Sequence, residues 1–312
     1  MPHDDDLARA FENERPRLLR VAYSTTGSLA EAEDCVQESW LRLRRVPDPG
    51  AIRDLRGWLT TVVGRLALDA LGSARSRRER YVGTWLPEPL VEPAGAAAVV
   101  PDPAEQVTLD ESVSMALLVV LDELTPAQRT AFLLHDVFGL PFDQVAEVVG
   151  RTPAAVRQLA SRARRHVEAS RPHAPAPRAE QRRLVHAFAA ACREGDLEGL
   201  VRLLDPEVRW RGDGGGLVVS LPGVVRGAEQ VARGLISFGR GQMPPGAMRV
   251  VTVNGAAGLL LYGPEGEVSV AAFTVDGGRI TAIDVQRNPE KLTSVRFPET
   301  DTDADTDAET EA

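Results

Sequence analysis

The spacing of the apolar residues changes once along this chain, and that change constrains the fold class more than any other feature. From Leu7 to about residue 204, apolar positions recur every three or four residues, as on amphipathic helices. Afterwards they alternate or run in short blocks at 217–221, 249–253, 259–262, 268–275 and 280–285. Asn254-Gly255, Pro264-Glu265-Gly266 and Asp276-Gly277-Gly278 lie between these blocks as hairpin signals. Helices first and an antiparallel meander afterwards predict a multidomain chain that ends in an α+β domain. A length of 312 residues allows two or three domains.

In the helical part, Leu7, Phe11, Leu18, Leu19 and Ala22 mark a first helix. Ser28 and Glu31 form a capping box for a second. On that helix Val36, Trp40 and Leu43 share one face, and Asp34, Gln37, Glu38 and Leu41 another. Pro47-Asp48-Pro49-Gly50 breaks the chain before a third helix over about 55–74. Residues 82–105, rich in Pro, Gly and Ala, read as a linker around Trp85-Leu86-Pro87-Glu88-Pro89-Leu90, with Trp85 expected to anchor on some surface. Thr125-Pro126-Ala127-Gln128 starts the next helix, and a short apolar-faced helix follows at 142–149. Gly150-Arg151 makes a turn, Thr152 caps the following helix and Pro153 takes its first position. Val156, Leu159, Ala163 and Val167 form its inner stripe, while Arg157, Gln158, Ser161, Arg162, Arg164 and Arg165 line the opposite face. Short helix, tight turn, basic helix is the helix-turn-helix pattern. A stiff Pro-rich connection at 171–177 leads to helices over about 178–193 and 197–204.

The formal net charge of −9 argues against nucleic acid only as a whole-chain mean. Between Arg53 and Arg80, seven arginines face three acids; between Arg151 and Arg171, six face only Glu168. Residues 81–123 carry eight acids and no Lys or Arg, and 299–311 carry seven acids and no base. Basic islands on an acidic background are a footprint for phosphate contact. No apolar run reaches the roughly 18 residues of a membrane span. The acidic N-terminus is unlike a secretory signal, and Cys35 and Cys192 lie in different predicted helices. The expectation is a soluble cytoplasmic chain without a disulfide framework.

Particular motifs carry a resemblance. Asp34-Cys35-Val36-Gln37-Glu38 with Trp40-Leu41, Trp58-Leu59 and Leu66-Ala67-Leu68-Asp69 resembles region 2 of the extracytoplasmic-function sigma factors of bacterial RNA polymerase. The stretch from Leu121 to Arg129, and that from Phe142 through Arg165, resemble region 4. Residues 185–290 resemble a SnoaL-like domain, a cone of helices and sheet, with Gly195-Asp196-Leu197, Leu200 and Leu204-Asp205-Pro206 similar to its opening helices. The order is similar to a subgroup with this domain fused at the C-terminus. Its recurring elements appear here as the linker motif from Trp85, as Asp213-Gly214-Gly215-Gly216, and as Asn288-Pro289-Glu290-Lys291-Leu292. The lysine that the subgroup has after its glycines is Leu217 here, which withdraws a salt bridge from that loop.

The resemblance implies two all-α helical sigma domains, region 2 over 1–80 and helix-turn-helix region 4 over 108–170. An acidic linker (81–107), a short connection (171–177), a C-terminal α+β SnoaL-like cone domain (178–297) and a disordered acidic tail (298–312) complete the chain. It implies a sigma factor that directs core polymerase to promoter DNA. Asp34, Gln37, Glu38 and Leu41 would bind core polymerase, whose beta and beta-prime subunits are the expected partners. Asp48, Ile52, Arg53, Arg56, Trp58, Arg65 and Asp69 would serve the −10 element, although Arg65 stands where the family commonly has Asn. Arg151, Thr152, Ala154, Arg157, Gln158, Ser161, Arg162 and Arg165 would serve the −35 element, with Arg157, Gln158 and Ser161 toward bases. The acidic linker would thread polymerase channels that otherwise hold nucleic acid. Trp85, Leu86, Pro87, Glu88, Asp213, Gly214, Gly215, Gly216, Asn288, Pro289, Glu290, Lys291 and Leu292 would let the C-terminal domain restrain and support polymerase binding in cis. A small ligand in the cone is a further possible partner. None of the five histidines lies in the predicted sheet, and Ser269, Thr274, Thr281 and Asp284 make a thin catalytic set. No catalytic residue, metal, cofactor or membrane contact is expected. A ligand-responsive helix-turn-helix regulator that never binds polymerase is the competing class, for which residues 7–80 would be superfluous.

Overall fold

The computed structural model describes residues 2–78, 81, 83–93, 114–170, 176–220, 223–239 and 247–295. The acidic stretch 94–113, most of the connection at 171–177, and the tail from Glu299 lie outside them.

The first unit has three helices, α1 (Pro2–Thr26), α2 (Leu29–Arg44) and α3 (Leu55–Arg78). Ser28 caps α2 by accepting the Glu31 N–H, and Asp54 accepts the Gly57 N–H at the start of α3. The second unit has α4 (Met115–Asp122), α5 (Pro126–Phe132), a π-turn (Leu133–Val137), α6 (Phe142–Val149) and α7 (Pro153–Ser170). Thr125 and Gln128 close a full capping box on α5. Gly150 ends α6 in the left-handed region at φ 67°, which sets the tight turn into α7. These two helical units share a core rather than standing apart. Phe11, Leu18, Val36, Leu43, Leu59 and Val63 of the first pack with Leu118, Ala131, Leu134, Val145 and Val156 of the second.

The C-terminal unit comprises α8 (Arg178–Glu194), α9 (Leu197–Leu203) and α10 (Ala228–Gly239) on a sheet. The sheet contains β1 (Val91–Pro93), β2 (Leu204–Asp213), β3 (Val224–Arg226), β4 (Met248–Val253), β5 (Ala256–Tyr262), β6 (Val268–Asp276) and β7 (Arg279–Gln286). Its order is β1-β4-β5-β6-β7-β2-β3. The meander β4 to β7 is antiparallel, but β2 pairs parallel to β7, so the sheet is mixed. The parallel pairing follows from α10, which carries the chain away after β2. Leu217–Ser220 is not a strand: it turns and runs irregularly, while β2, β3 and α10 were absent from the expectation. β1 comes from the presumed linker and completes one edge of the sheet.

The two sheet faces have different partners. Val185, Phe188, Leu200 and Val231 of the helices cover one face against Val208, Leu259, Phe273 and Ile283. Leu86 of the linker, with Met115 and Val119 of α4, covers the other against Val251, Val253, Leu260 and Val270. Among the described residues, no helix is long and apolar enough to cross a membrane.

Candidate nucleic-acid interfaces and a linker clamp

The basic face of α7 is open. Arg151, Thr152, Ala154, Arg157, Gln158, Ser161, Arg162 and Arg165 are all exposed, while Val156, Ala160, Ala163 and Val167 face inward. Thr152 accepts the Ala155 N–H, so the helix start is capped from within the turn. The Arg157 guanidinium lies 5.3 Å from the centre of the Phe142 ring, which steadies a side chain at the base-reading end. Arg164 is tied to Asp136.

Around α2 and α3 the expected residues divide. Asp34, Gln37 and Leu41 are exposed on one face of α2, and Glu38 beside them pairs with Arg42 at 3.1 Å. Asp48, Arg53, Arg56 and Asp69 are exposed, whereas Ile52 and Trp58 pack against the shared core. Arg65 donates twice to the Glu147 carbonyl at the end of α6, at 2.9 and 3.2 Å. Beside it, a Cβ on Gly64 would meet Leu134 Cδ1 at 3.0 Å and Val148 Cγ1 at 3.4 Å, so α3 and α6 touch closely. A second latch is Arg129 on α5, only 1% exposed, which donates to the Ser24 carbonyl in the last turn of α1 at 2.9 and 3.2 Å. A cation suits that negative helix end.

The segment around Trp85 is clamped between α1 and the sheet. Asp213, fully buried at the end of β2, accepts from Tyr81 Oη (2.6 Å), Leu86 N–H (2.8 Å), Gln286 Nε2 (3.1 Å), Gly215 N–H (3.0 Å) and Lys291 Nζ (2.7 Å). Lys291 also donates to the Leu86 carbonyl at 2.7 Å and lies 4.2 Å from the Trp85 ring centre and 4.8 Å from that of Tyr81. The single lysine of the chain is thus held by one carboxylate and two aromatic faces. Asp213 takes its salt bridge from Lys291, which lies in a separate element of the sequence, while Leu217 is exposed. Asn288 donates to Tyr81 Oη at 2.8 Å and accepts the Glu290 N–H, starting the 3-10 turn Pro289–Lys291; Leu292 is buried against the sheet. Gly214 and Gly215 leave no room for a side chain: a Cβ would meet the Val218 carbonyl oxygen at 2.1 Å and Asn288 Nδ2 at 2.4 Å. Gly215 and Gly216 also have φ of 64° and 73°, which favours glycine.

On the opposite side, the Glu88 N–H donates to Gly27 and its carbonyl accepts from Tyr23 Oη at 2.6 Å. Asn254, in the β4–β5 turn, donates to Tyr23 and accepts the Leu90 N–H. The buried Glu88 carboxylate caps α2 by accepting the Leu29 N–H at 2.8 Å. Glu88 is therefore inside the protein here, not offered to a polymerase channel. Tyr81, Tyr23, Asn254, Gln286 and Arg129 had no sequence signal, because each bonds across more than a hundred or several tens of positions.

Burial pushes the Glu88 carboxyl above the ordinary glutamate range, against the pull of Leu29, Ser28 and Ser294. The docked segment therefore binds this proton better than the free one. The resulting stabilisation is full below the ordinary range and is lost as pH rises through the raised native value. We expect amide-exchange protection at Glu88 to strengthen as pH falls from neutrality, and Glu88→Gln to abolish that dependence. A profile unchanged in Glu88→Gln would place the titrating group elsewhere. Among the described residues, no cluster of three or more His, Cys, Asp or Glu is disposed to hold a metal ion.

Comparison with known proteins agrees with this architecture. The Sigma-70 region 2 family matches residues 10–77, and the Sigma-70 region 4 family matches residues 114–167. The chain is 44% identical over 299 residues to ECF RNA polymerase sigma factor SigJ of Mycobacterium tuberculosis, covering 91% of this chain and 92% of that one. It is 36% identical to the probable ECF RNA polymerase sigma factor SigI of the same species, covering 95% and 98%. The crystal structure of SigJ superimposes with a TM-score of 0.76 at 40% identity, covering 92% and 98%. The two helical units, their order and the C-terminal helix-and-sheet unit together place this chain in the extracytoplasmic-function RNA polymerase sigma factors.

Proposed function

We propose that the protein directs core RNA polymerase to its promoters in the cytoplasm, and that the arrangement described above is its restrained state. The observation that carries this is the Asp213–Lys291 clamp. It fixes the segment joining the two helical units to both α1 and the C-terminal sheet. With the segment so held, α3 stays against α6 and Arg65 is occupied by the Glu147 carbonyl. Opening would free the α3 face for the −10 element, beside the exposed Asp48 and Arg53 of the preceding loop and Arg56 and Asp69 of α3 itself. Asp34, Gln37, Glu38 and Leu41 would serve core polymerase, a mixed polar and apolar patch suited to such an interface.

Sequence reading at the −35 element falls to Arg157, Gln158 and Ser161, and phosphate contact to Arg151, Arg162 and Arg165. Arg157→Ala is expected to lose discrimination by about 1–3 kcal/mol. Arg165→Ala would instead weaken binding to all sequences and reduce the salt slope by about one. Binding titrations at several salt concentrations check this; equal loss of selectivity in both variants contradicts the division.

The C-terminal unit acts as a regulator rather than an enzyme. Asp284, the carboxylate of the thin catalytic set, faces the linker side and is held by Arg211 at 2.6 and 3.1 Å. Thr281 is bonded to the Thr274 carbonyl. Run-off transcription with purified core polymerase tests the reading: promoter-specific transcript is expected, and no transcript from either the full chain or an unclamped variant rejects it.

A further inference from the structure

We infer that the C-terminal unit binds a small apolar molecule carrying a carbonyl-type oxygen between its helices and sheet, and that Arg287 passes the occupancy of that site to the linker clamp. This deepens the regulatory reading above and rests on it.

The cavity has a volume of about 90 Å³. At about 30 Å³ for each packed group, that is room for about three water-sized groups, so the tail of a longer apolar molecule extends through the open side of the cavity. Its wall is mainly apolar, with Phe188, Leu235, Leu259 and Ile283 among its residues. Polar groups are contributed by Trp210, Ser220, Tyr262, Glu267, Ser269 and Arg287. Among the described residues, the buried Trp210 Nε1–H has no hydrogen-bond partner. A buried donor without an acceptor costs about 1–3 kcal/mol, which an oxygen on a bound molecule would recover. An apolar body with one acceptor oxygen therefore fits both the wall and the donor.

The coupling follows from strand alternation. At the end of β7, Gln286 and Asn288 point to the clamp, where they bond Asp213, Leu86 and Tyr81. Arg287, between them, points to the cavity and donates to Ser269 Oγ at 3.1 Å and to the Val219 carbonyl. Its backbone N–H donates to the Asp213 carbonyl at 2.7 Å. Residues 214–220 thus begin at the clamp carboxylate, are held near their far end by Arg287 at Val219, and end with Ser220 in the cavity wall. An oxygen that draws the guanidinium off the Val219 carbonyl releases this loop next to Asp213. Burial lowers the Arg287 pKa while Glu267 nearby supports its charge, so the guanidinium gains from a further acceptor.

The test titrates the full-length protein with heptanoate and with 2-heptanone, using ethylbenzene as an oxygen-free control. Two signals are followed: the Trp210 indole N–H resonance, and amide-exchange protection at Leu86 and Glu88. We expect both oxygen-bearing probes to shift the indole resonance and to lower protection about tenfold. Ethylbenzene should leave protection unchanged. Arg287→Met, which lacks the Val219 contact, should show lowered protection without any probe and no further loss with one; its unliganded indole resonance shows that the unit is folded. No indole shift with either oxygen probe at millimolar concentration overturns the site. An indole shift without any change in protection overturns the coupling. Asp213→Asn is run alongside: if it too leaves protection unchanged, the clamp reading itself has failed, and not only the ligand.

Discussion

Asp213→Asn is expected to release the segment 83–93 from the sheet. The fully buried carboxylate collects five donors, among them a cation only 15% exposed. Removing its charge leaves Lys291 enclosed by Trp85 and Tyr81 without a counter-ion, and weakens the acceptor for the Leu86 N–H. Breaking a buried pair from one side costs about 3–5 kcal/mol, with the lower end apt here because Lys291 keeps some solvent contact. At 1.36 kcal/mol per decade, the docked population falls roughly a hundredfold. The amides of Leu86, Glu88 and Leu90, each bonded only while the segment is docked, report this as lost exchange protection. Lys291→Met should do much the same, since its stem still packs on the rings but the charge is gone. The double variant should cost clearly less than the sum of the two, as contacting partners do. Full additivity would show that the two groups act separately.

Arg129→Met is expected to separate the two helical units. Its guanidinium is buried where α5 meets the end of α1, giving two hydrogen bonds to one carbonyl and an ion pair with Asp122 at 3.5 Å. Methionine fills much of the volume but leaves the Ser24 carbonyl buried without its donors. Loss of a hydrogen-bonded buried charge of this kind costs about 3 kcal/mol or more. The thermal midpoint should fall by several degrees. Core-polymerase affinity should rise, because α3, which packs on α2, is relieved of α5 and α6 and the first helical unit is free to adopt its bound arrangement. A stability loss with unchanged polymerase affinity would mean that the contact stabilises the helices without restraining them.

Local signals made the helix-turn-helix legible in the sequence. Gly150 at the turn, Thr152 at the cap and Pro153 behind it each act within a few residues of themselves. The same holds for the Thr125–Gln128 capping box and the Asn254-Gly255 hairpin. Strand β2 escaped because Asp205-Pro206 reads as a breaker and Arg209 and Arg211 as surface, when Arg211 is drawn inward by Asp284. Helix α10 escaped because Gly234 interrupts its apolar rhythm. In the clamp, Trp85, Glu88, Asp213 and Lys291 were visible only as separate motifs. Their joining spans 127 positions for Leu86 and Asp213, and 205 for Lys291 and Leu86, distances over which periodicity and capping carry no information. For the same reason the shared core of the helical units could not be read from two well-formed helical patterns.

The central claim is that the clamp keeps α3 against α6, and so against the second helical unit that carries α7, until polymerase binds. Fluorophores at the exposed positions Ser73 on α3 and Glu168 on α7 measure that separation directly by energy transfer. The free protein should show high transfer, core polymerase should lower it, and Asp213→Asn should lower it without polymerase. Equal transfer in the free and polymerase-bound protein, or an Asp213→Asn variant as closed as the parent chain, would contradict it.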